Sequence, residues 1–248
     1  MTRTLKLTLQ YDGTEYVGWQ RQASGTSIQG VLEEALRPIE GAHVAVHGAG
    51  RTDAGVHATG QVCSFVLTAS IGTETLPRAL NAVLPGDIRV AAAEEVPHGF
   101  HARFSATGKV YEYRIVHARF IAPFIRRYAW HVVQALDVAA MREAAACLVG
   151  EHDFSAFRAA GSDVHTSVRT VRRIDWIEGD GPETPLVFRI EGDGFLRHMV
   201  RNIVGTLVEI GWGRWPAPRM AEMLESRDRA RAGSTAPPHG LFLTTVLY

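Results

Sequence analysis

The sequence has little cysteine, almost no lysine and no long apolar run, and each shortage excludes something. Cys63 and Cys147 are the only cysteines among the 248 residues. They lie far apart, are flanked by apolar residues and form no CxxC pair, so thiolate-metal and redox motifs have no support. Both read as buried reduced thiols, which fit a reducing, cytoplasmic compartment. No stretch approaches the ~20 apolar residues of a membrane span. The opening MTRTLKLTLQYDG alternates like a strand and lacks an apolar core, so no signal peptide is expected. Lysine is confined to Lys6 and Lys109 against 24 arginines, so any anion site must be built from guanidinium groups. A P-loop and a G-x-S-x-G elbow are also missing, which leaves nucleotide-driven and serine-hydrolase chemistry without a motif. Finally, 26 basic residues balance 26 acidic ones. Zero net charge speaks against a polyanion-binding tail and, taken alone, gives no sign of a nucleic-acid partner.

What is present is an ordinary globular composition, 46% hydrophobic and 21% charged, which excludes a disordered or fibrous chain. Thr4–Gln10 reads as a strand. Ile28, Val31, Leu32, Ala35, Leu36 and Ile39 give helical spacing, with Thr26 and Gln29 at capping-box positions and Gly41 as the stop. Val44–Val46 and Gln61–Leu67 read as strands, with the glycine-rich loop His47–Gly60 between them. Leu76–Leu84 reads as a helix, and Ile88–Val96 and Val110–Val116 as strands. The second of these puts Tyr111, Tyr113 and Ile115 on one face. Asp137 suits the N-cap of a helix running to Val149, and Arg169–Ile177 and Leu186–Glu191 read as strands. Phe195–Ile210 is the strongest helical pattern, with Arg197, His198 and Arg201 on a polar stripe. A short helix follows Pro218, and Leu241–Tyr248 reads as a closing strand. This order predicts an α/β or α+β fold with an antiparallel or mixed sheet. LKLTLQYDGTEYVGWQ and VFRIEGDGFLRHMVRN echo each other as strand, Asp-Gly, aromatic and helix, which suggests two similar halves, 1–104 and 105–248.

The zero net charge is a sum of opposites. Residues 97–131 carry Arg103, Lys109, Arg114, Arg119, Arg126 and Arg127 against Glu112, a net of +5, with four histidines and several aromatics interleaved. Residues 158–173 carry +3, whereas residues 174–193 carry −5. Cations interleaved with rings suit single-stranded or loop RNA, with cations for phosphates and rings for splayed bases. A solvated, salt-bridged surface would have the same composition.

The loop HGAGRTDAGVHATG (His47–Gly60) is the most informative stretch. Its four glycines permit close backbone approach and positive φ. Asp53, two residues from Arg51, suits a nucleophile or general base aimed into a cleft. It equally suits a turn in which Asp53 caps backbone N–H groups and pairs with Arg51. His43, His47, Asp53 and His57 offer a metal-like set, but His43 and His47 on one strand would be ~13 Å apart. Arg201 is either an exposed helix residue or a bidentate anion partner.

Several segments then resemble one family. GRTDAGVHATGQV (50–62), YDGTEYVGWQRQ (11–22), FHARFSATGKVYEYRI (100–115), VRTV (168–171), GFLRHMVRNIVGTL (194–207) and APPHGLFLTTVLY (236–248) are similar, in order, to the tRNA pseudouridine synthases of the TruA type. Asp193 departs from a commoner small polar residue. The resemblance implies a pseudouridine-synthase fold, in which two similar α/β halves share an extended, mainly antiparallel mixed sheet with a central active-site cleft. It implies isomerisation of uridine to pseudouridine in the anticodon stem-loop of tRNA, at positions 38, 39 and 40. No metal and no organic or nucleotide cofactor is expected. A cytoplasmic homodimer holding the tRNA anticodon arm is. Asp53 would be the catalytic carboxylate, and Arg51 would help extrude the target nucleotide. Tyr111 would stack on the flipped uracil, Arg201 would pair with Asp53, and Leu243 would wall the pocket. Arg126, Arg127 and His57 are the further candidates for substrate contact.

Overall fold

The computed structural model describes residues 2–159, 166–181 and 184–248. Asp163 and Glu183, counted in the charge runs above, lie outside the described residues. In chain order the elements are β1 (Arg3–Tyr11), α1 (Ile28–Glu40), β2 (His47–Gly48), β3 (His57–Leu67), α2 (Leu76–Val83) and β4 (Ile88–Val96). They continue with β5 (Gly108–Val116), β6 (Trp130–His131), α3 (Val138–Ala146), β7 (Gly150–Asp153), β8 (Val168–Ile177) and β9 (Leu186–Gly192). Last come α4 (Met199–Gly211), α5 (Arg219–Ser226) and β10 (Leu241–Leu247). The chain divides into two compact units, Met1–Thr107 with Phe242–Tyr248, and Gly108–Leu241. The last seven residues, counted by sequence with the second half, therefore return to the first unit. Among the described residues no helix is long and apolar enough to cross a membrane.

In the first unit the strands run in the order β4-β1-β3-β10, with β2 paired to β3. β1 is antiparallel to both neighbours, and Leu5, Leu7 and Leu9 on its buried face are wholly inaccessible. β10 joins β3 in parallel, setting Phe242 beside His57 and Leu243 beside Ala58. Ile28, Leu32 and Leu36 of α1 and Leu76 and Leu80 of α2 supply the helical side of the core, as the 3.6-residue spacing requires. Gly41 ends α1 in the left-handed region, its N–H donating to the Arg37 carbonyl.

The start of α1 falls one residue later than the capping-box spacing predicts. Ser27, not Thr26, is the N-cap, and its hydroxyl accepts from the Gly30 N–H. Gln29 is engaged elsewhere, accepting from the Arg21 N–H and donating to the Val46 carbonyl. Val44–Val46 forms no strand, because α1 side chains take its backbone groups. The Val46 N–H donates to Glu33 and its carbonyl serves Gln29.

In the second unit the order is β5-β9-β8-β7, with β6 parallel to β5. Tyr111, Tyr113 and Ile115 share the buried face of β5, as the alternation predicts. Glu112 on the other face accepts two hydrogen bonds from Arg189 across the β5-β9 ladder. Asp137 caps α3 by accepting from the Ala140 N–H, but α3 ends at Ala146, three residues short of the expected Val149. Tight turns follow, with Leu148 N–H donating to Ala145 and Val149 N–H to Ala146.

The helix predicted from Phe195 begins only at Met199, and His198 stands before it at φ 62°. Residues 195–198 are held by tertiary contacts instead. Phe195 packs edge-on against Tyr111, and the Arg197 carbonyl accepts from the Ala159 N–H. Arg197 and His198 are therefore not on a helical stripe with Arg201. α4 itself is buried nearly all round, including Asn202 and Thr206. Asn202 donates to the Phe157 carbonyl and accepts from Arg229 and Thr235, so its buried amide is satisfied.

Candidate active site

In the first unit Arg51 and Asp53 sit on a short turn between β2 and β3, from Ala49 to Val56. The loop is shorter than the sequence suggests, because His57–Gly60 already belongs to β3. Arg51 is exposed, Thr52 buried and Asp53 half-buried. The turn closes on itself through the Val56 N–H donating to the Asp53 carbonyl, with Gly55 at φ +74°.

Buried groups fasten it from below. Gln61 on β3 donates through Nε2 to the Gly50 carbonyl at 3.0 Å and to the Tyr11 hydroxyl at 3.3 Å. Tyr11 in turn shares a hydrogen bond with the Thr52 hydroxyl at 2.9 Å. Burial pushes the Tyr11 ionisation up to about 12, so the phenol remains a neutral hydrogen-bonding group. Both residues flanking Arg51 are thus tied to the sheet, which leaves the exposed Arg51 and the half-buried Asp53 on a fixed base.

A second segment, residues 12–27, lies against the same turn. The Trp19 N–H donates to the Thr52 carbonyl at 3.0 Å. At Gly18, φ +107°, a Cβ would lie 2.5 Å from the Thr52 oxygen and 3.0 Å from the Asp53 carbonyl carbon. At Gly13 a Cβ would lie 2.0 Å from the Val56 oxygen. Only residues without a side chain allow this approach. Tyr11, Thr52, Gln61, Gly13 and Gly18 are positioning residues beyond those the sequence singled out. Tyr11, Gly13 and Gly18 lie in YDGTEYVGWQRQ, where two glycines stand among Tyr11, Tyr16 and Trp19, and Thr52 and Gln61 lie in GRTDAGVHATGQV.

His57 is 1% exposed and stacks on Phe242 at 4.7 Å. Its Nδ1 accepts from the Gly13 N–H at 3.0 Å and stands 3.1 Å from Asp12 Oδ1. An Nδ1 that accepts the amide proton cannot also donate to Asp12, so the Gly13 contact fixes the Nε2–H tautomer. Asp12 is served instead by the Thr14 N–H and hydroxyl. His57 in this conformation therefore holds the Asp12-Gly13 turn. Leu243 is fully buried beside Ala58. Among the described residues no group of three or more His, Cys, Asp and Glu side chains is placed to hold a metal, so His43, His47, Asp53 and His57 do not converge.

In the second unit Tyr111 is 7% exposed, its ring centroid 5.1 Å from Phe195 at 78°. Edge-to-face packing of this kind is a favoured arrangement of two rings. Arg201 on α4 is half-buried and donates through Nε to the Ala236 carbonyl at 2.8 Å, while the Ala236 N–H donates to the Arg201 carbonyl. This two-way link fixes the arginine stem. Its charge is close enough to act on Tyr113 and His239. Tyr113 is wholly buried and donates to the Pro237 carbonyl at 2.7 Å, which makes it structural.

The charge runs separate into two kinds. Arg173 pairs with Asp175 at 2.8 Å and Arg172 with Glu191 at 3.8 Å, so part of the 158–173 run is a salt-bridged surface on β8 and β9. Arg126 and Arg127, by contrast, are exposed on a turn that also presents Phe120 and Phe124, the latter 90% exposed. Among the described residues Arg103, Arg119 and Arg126 form no ion pair with a carboxylate.

Comparison with known proteins agrees with this anatomy. The family described as "tRNA pseudouridine synthase" matches residues 8–105 and 144–248. A relative from Myxococcus xanthus named "tRNA pseudouridine synthase A" is 50% identical over 244 residues, covering 98% of this chain and 91% of that one. A protein of the same name from Geobacter sulfurreducens is 47% identical over 246 residues, covering 99% and 100%. One from Acetivibrio thermocellus is 44% identical over 246 residues, again covering 99% and 100%. With the Asp53 turn and the α4 arginine inside the matched stretches, and relatives of that name covering nearly the whole chain, this chain belongs to the tRNA pseudouridine synthase family.

Proposed function

We propose that Asp53 is the reacting carboxylate of an isomerase that converts uridine to pseudouridine in the anticodon arm of tRNA, at positions 38, 39 and 40. Conversion of uridine to pseudouridine in tRNA is the activity of the family. The anticodon address and the residue roles are our reading. In chemical terms the C1′–N1 bond breaks and a C1′–C5 bond forms. C5 loses a proton and N1 ends protonated, so the nucleotide keeps its composition. No oxidant, reductant or water is consumed, and one carboxylate with a proton acceptor suffices.

The observation that carries this reading is the mounting of Asp53. An isomerisation through one carboxylate needs that group held still. Tyr11 and Gln61 hold the neighbouring Thr52 and Gly50, and the glycine approaches bring Gly18 against the Thr52–Asp53 backbone and Gly13 against Val56. Arg51 is exposed and suited to fill the space of an extruded nucleotide, a step that costs a few kcal/mol. Tyr111 stacks on the flipped uracil and accepts the C5 proton, which returns about 1–3 kcal/mol of the unstacking cost. Arg201 acts on the Asp53 carboxylate, and Leu243 lends apolar surface. These assignments rest on family membership. Arg126 and Arg127 bind phosphate, His57 serves the substrate through the Asp12-Gly13 turn that it holds, and the enzyme is a cytoplasmic homodimer working without cofactor. Pseudouridine mapping of anticodon-arm RNA after incubation with the protein tests the reading. Modification at 38–40 is expected, and modification elsewhere or nowhere refutes it.

A further inference from the structure

One surface feature of the first unit has no part in the chemistry above. The His47 and His101 rings lie 4.9 Å apart at 31°, and the His101 and Phe104 rings 4.4 Å apart at 35°. The Arg103 guanidinium sits 5.6 Å from the Phe104 ring centre. These rings meet because β3 anchors both segments through one residue. His47 on β2 pairs opposite Ser64, and the Ser64 hydroxyl accepts from the Ala102 N–H at 2.9 Å. The Ala102 carbonyl accepts from the Tyr248 hydroxyl, so the residue between His101 and Arg103 is pinned on both sides.

The loop is also tied internally. His101 N–H donates to the Ser105 hydroxyl, Ser105 N–H to the His101 carbonyl, and Arg103 N–H to His101 Nδ1 at 3.1 Å. His101 Nδ1 thus acts as an acceptor, and burial together with neighbouring His47 lowers the proton affinity of the ring, which stays neutral at neutral pH. On this rigid base Phe104 is 76% exposed, and His47 and Arg103 are exposed beside it. A single exposed apolar residue is ordinary. A preformed run of three rings ending in an exposed phenyl with a cation at its edge is a base-stacking arrangement.

We propose that the His47–His101–Phe104 run, with Arg103 at its edge, is a platform on which an unpaired base of the RNA substrate stacks while Arg103 meets the adjoining phosphate. Within the first unit residues 97–107 carry Arg103 and no carboxylate, which favours an anion over an apolar protein surface as the occupant. The proposal rests on RNA being the substrate, and it adds a binding determinant separate from the Asp53 turn.

The test compares wild type, Phe104→Ala, Phe104→Tyr and Val83→Ala with unmodified tRNA transcripts. Filter binding gives Kd, and pseudouridine formation gives kcat and KM. Loss of one stacked base weakens binding by about 5- to 150-fold. Phe104→Ala is therefore expected to raise Kd and KM together by fivefold or more, with kcat changed less than twofold. Phe104→Tyr restores both, and Val83→Ala, which trims an exposed apolar side chain outside the stack, changes neither. Wild-type Kd in Phe104→Ala, or equal losses in Ala and Tyr variants, overturns the platform. A changed sedimentation mass with unchanged Kd also overturns it, by making the stack a protein contact. Absence of pseudouridine with wild type overturns the enzymatic reading instead, whatever the binding data show.

Discussion

Replacing Gly18 by alanine tests the mounting of Asp53 without touching a reactive group. The added Cβ would stand 2.5 Å from the Thr52 carbonyl oxygen and 3.0 Å from the Asp53 carbonyl carbon. Ordinary contact begins at 3.4 Å, so the turn must retreat by about 0.9 Å. A displacement near 1 Å at a reacting group costs about 10²-fold in rate, or about 2.7 kcal/mol. Gly18 also sits at φ +107°, which costs a side-chain-bearing residue about 1–2 kcal/mol of stability. Gly41→Ala separates the two effects, because Gly41 has φ +78° with nothing within 4 Å of a new Cβ. Single-turnover pseudouridine formation at saturating tRNA should fall about 100-fold in Gly18→Ala and stay at wild type in Gly41→Ala. Both variants should lose a few degrees of Tm, at about 2–4 °C per kcal/mol for a chain of this size. A Gly18→Ala rate within threefold of wild type, or an equal fall in Gly41→Ala, would refute the idea that this close approach positions Asp53.

Other expectations follow from the same anatomy. Arg126→Gln with Arg127→Gln should flatten the salt dependence of tRNA binding by about 0.7–0.9 in log–log slope per lost phosphate contact. An unchanged slope in filter binding would place the RNA elsewhere. Asn202→Ala strands the Arg229 and Thr235 donors and the Phe157 carbonyl, costing about 2–3 kcal/mol, visible as a lower urea midpoint at unchanged m. Tyr11, Tyr16, Tyr113 and Tyr248 all have their ionisation raised by burial, Tyr11 to about 12. Their neutral forms are favoured when folded, so this stability is whole below about pH 10 and lost as pH rises through the folded values. Urea unfolding between pH 9 and 12 should show a decline steeper than one proton. A flat profile would contradict it.

The elements with strong periodicity were legible in the sequence. β4 matches at both ends, and α1 at its glycine stop, because alternation and the C′ glycine are local signals. What was not legible depended on distant partners. Val44–Val46 carries strand-forming residues, but its backbone groups are taken by Gln29 and Glu33 of α1. Leu196 continues the apolar spacing of α4, so periodicity could not show that Phe195 is claimed by Tyr111 four residues before the helix begins. At the site, the types and spacing of Arg51 and Asp53 marked the turn, while their support did not show. The hydroxyl of Tyr11 and the amide of Gln61 are 50 residues apart, and nothing local joins them. Charge behaved similarly. The net of zero carried no information on partners, and the salt-bridged arginines of β8 could be told from exposed Arg126 only once β8 and β9 were paired.

The most direct test of the central claim is pseudouridine mapping of tRNA transcripts treated with wild-type protein and with Asp53→Ala, alongside the Kd of each for the same RNA. We expect wild type to place pseudouridine at positions 38–40. Asp53→Ala should bind with a Kd within a few-fold of wild type and form none. Turnover retained in Asp53→Ala would contradict the assignment of Asp53 as the reacting carboxylate.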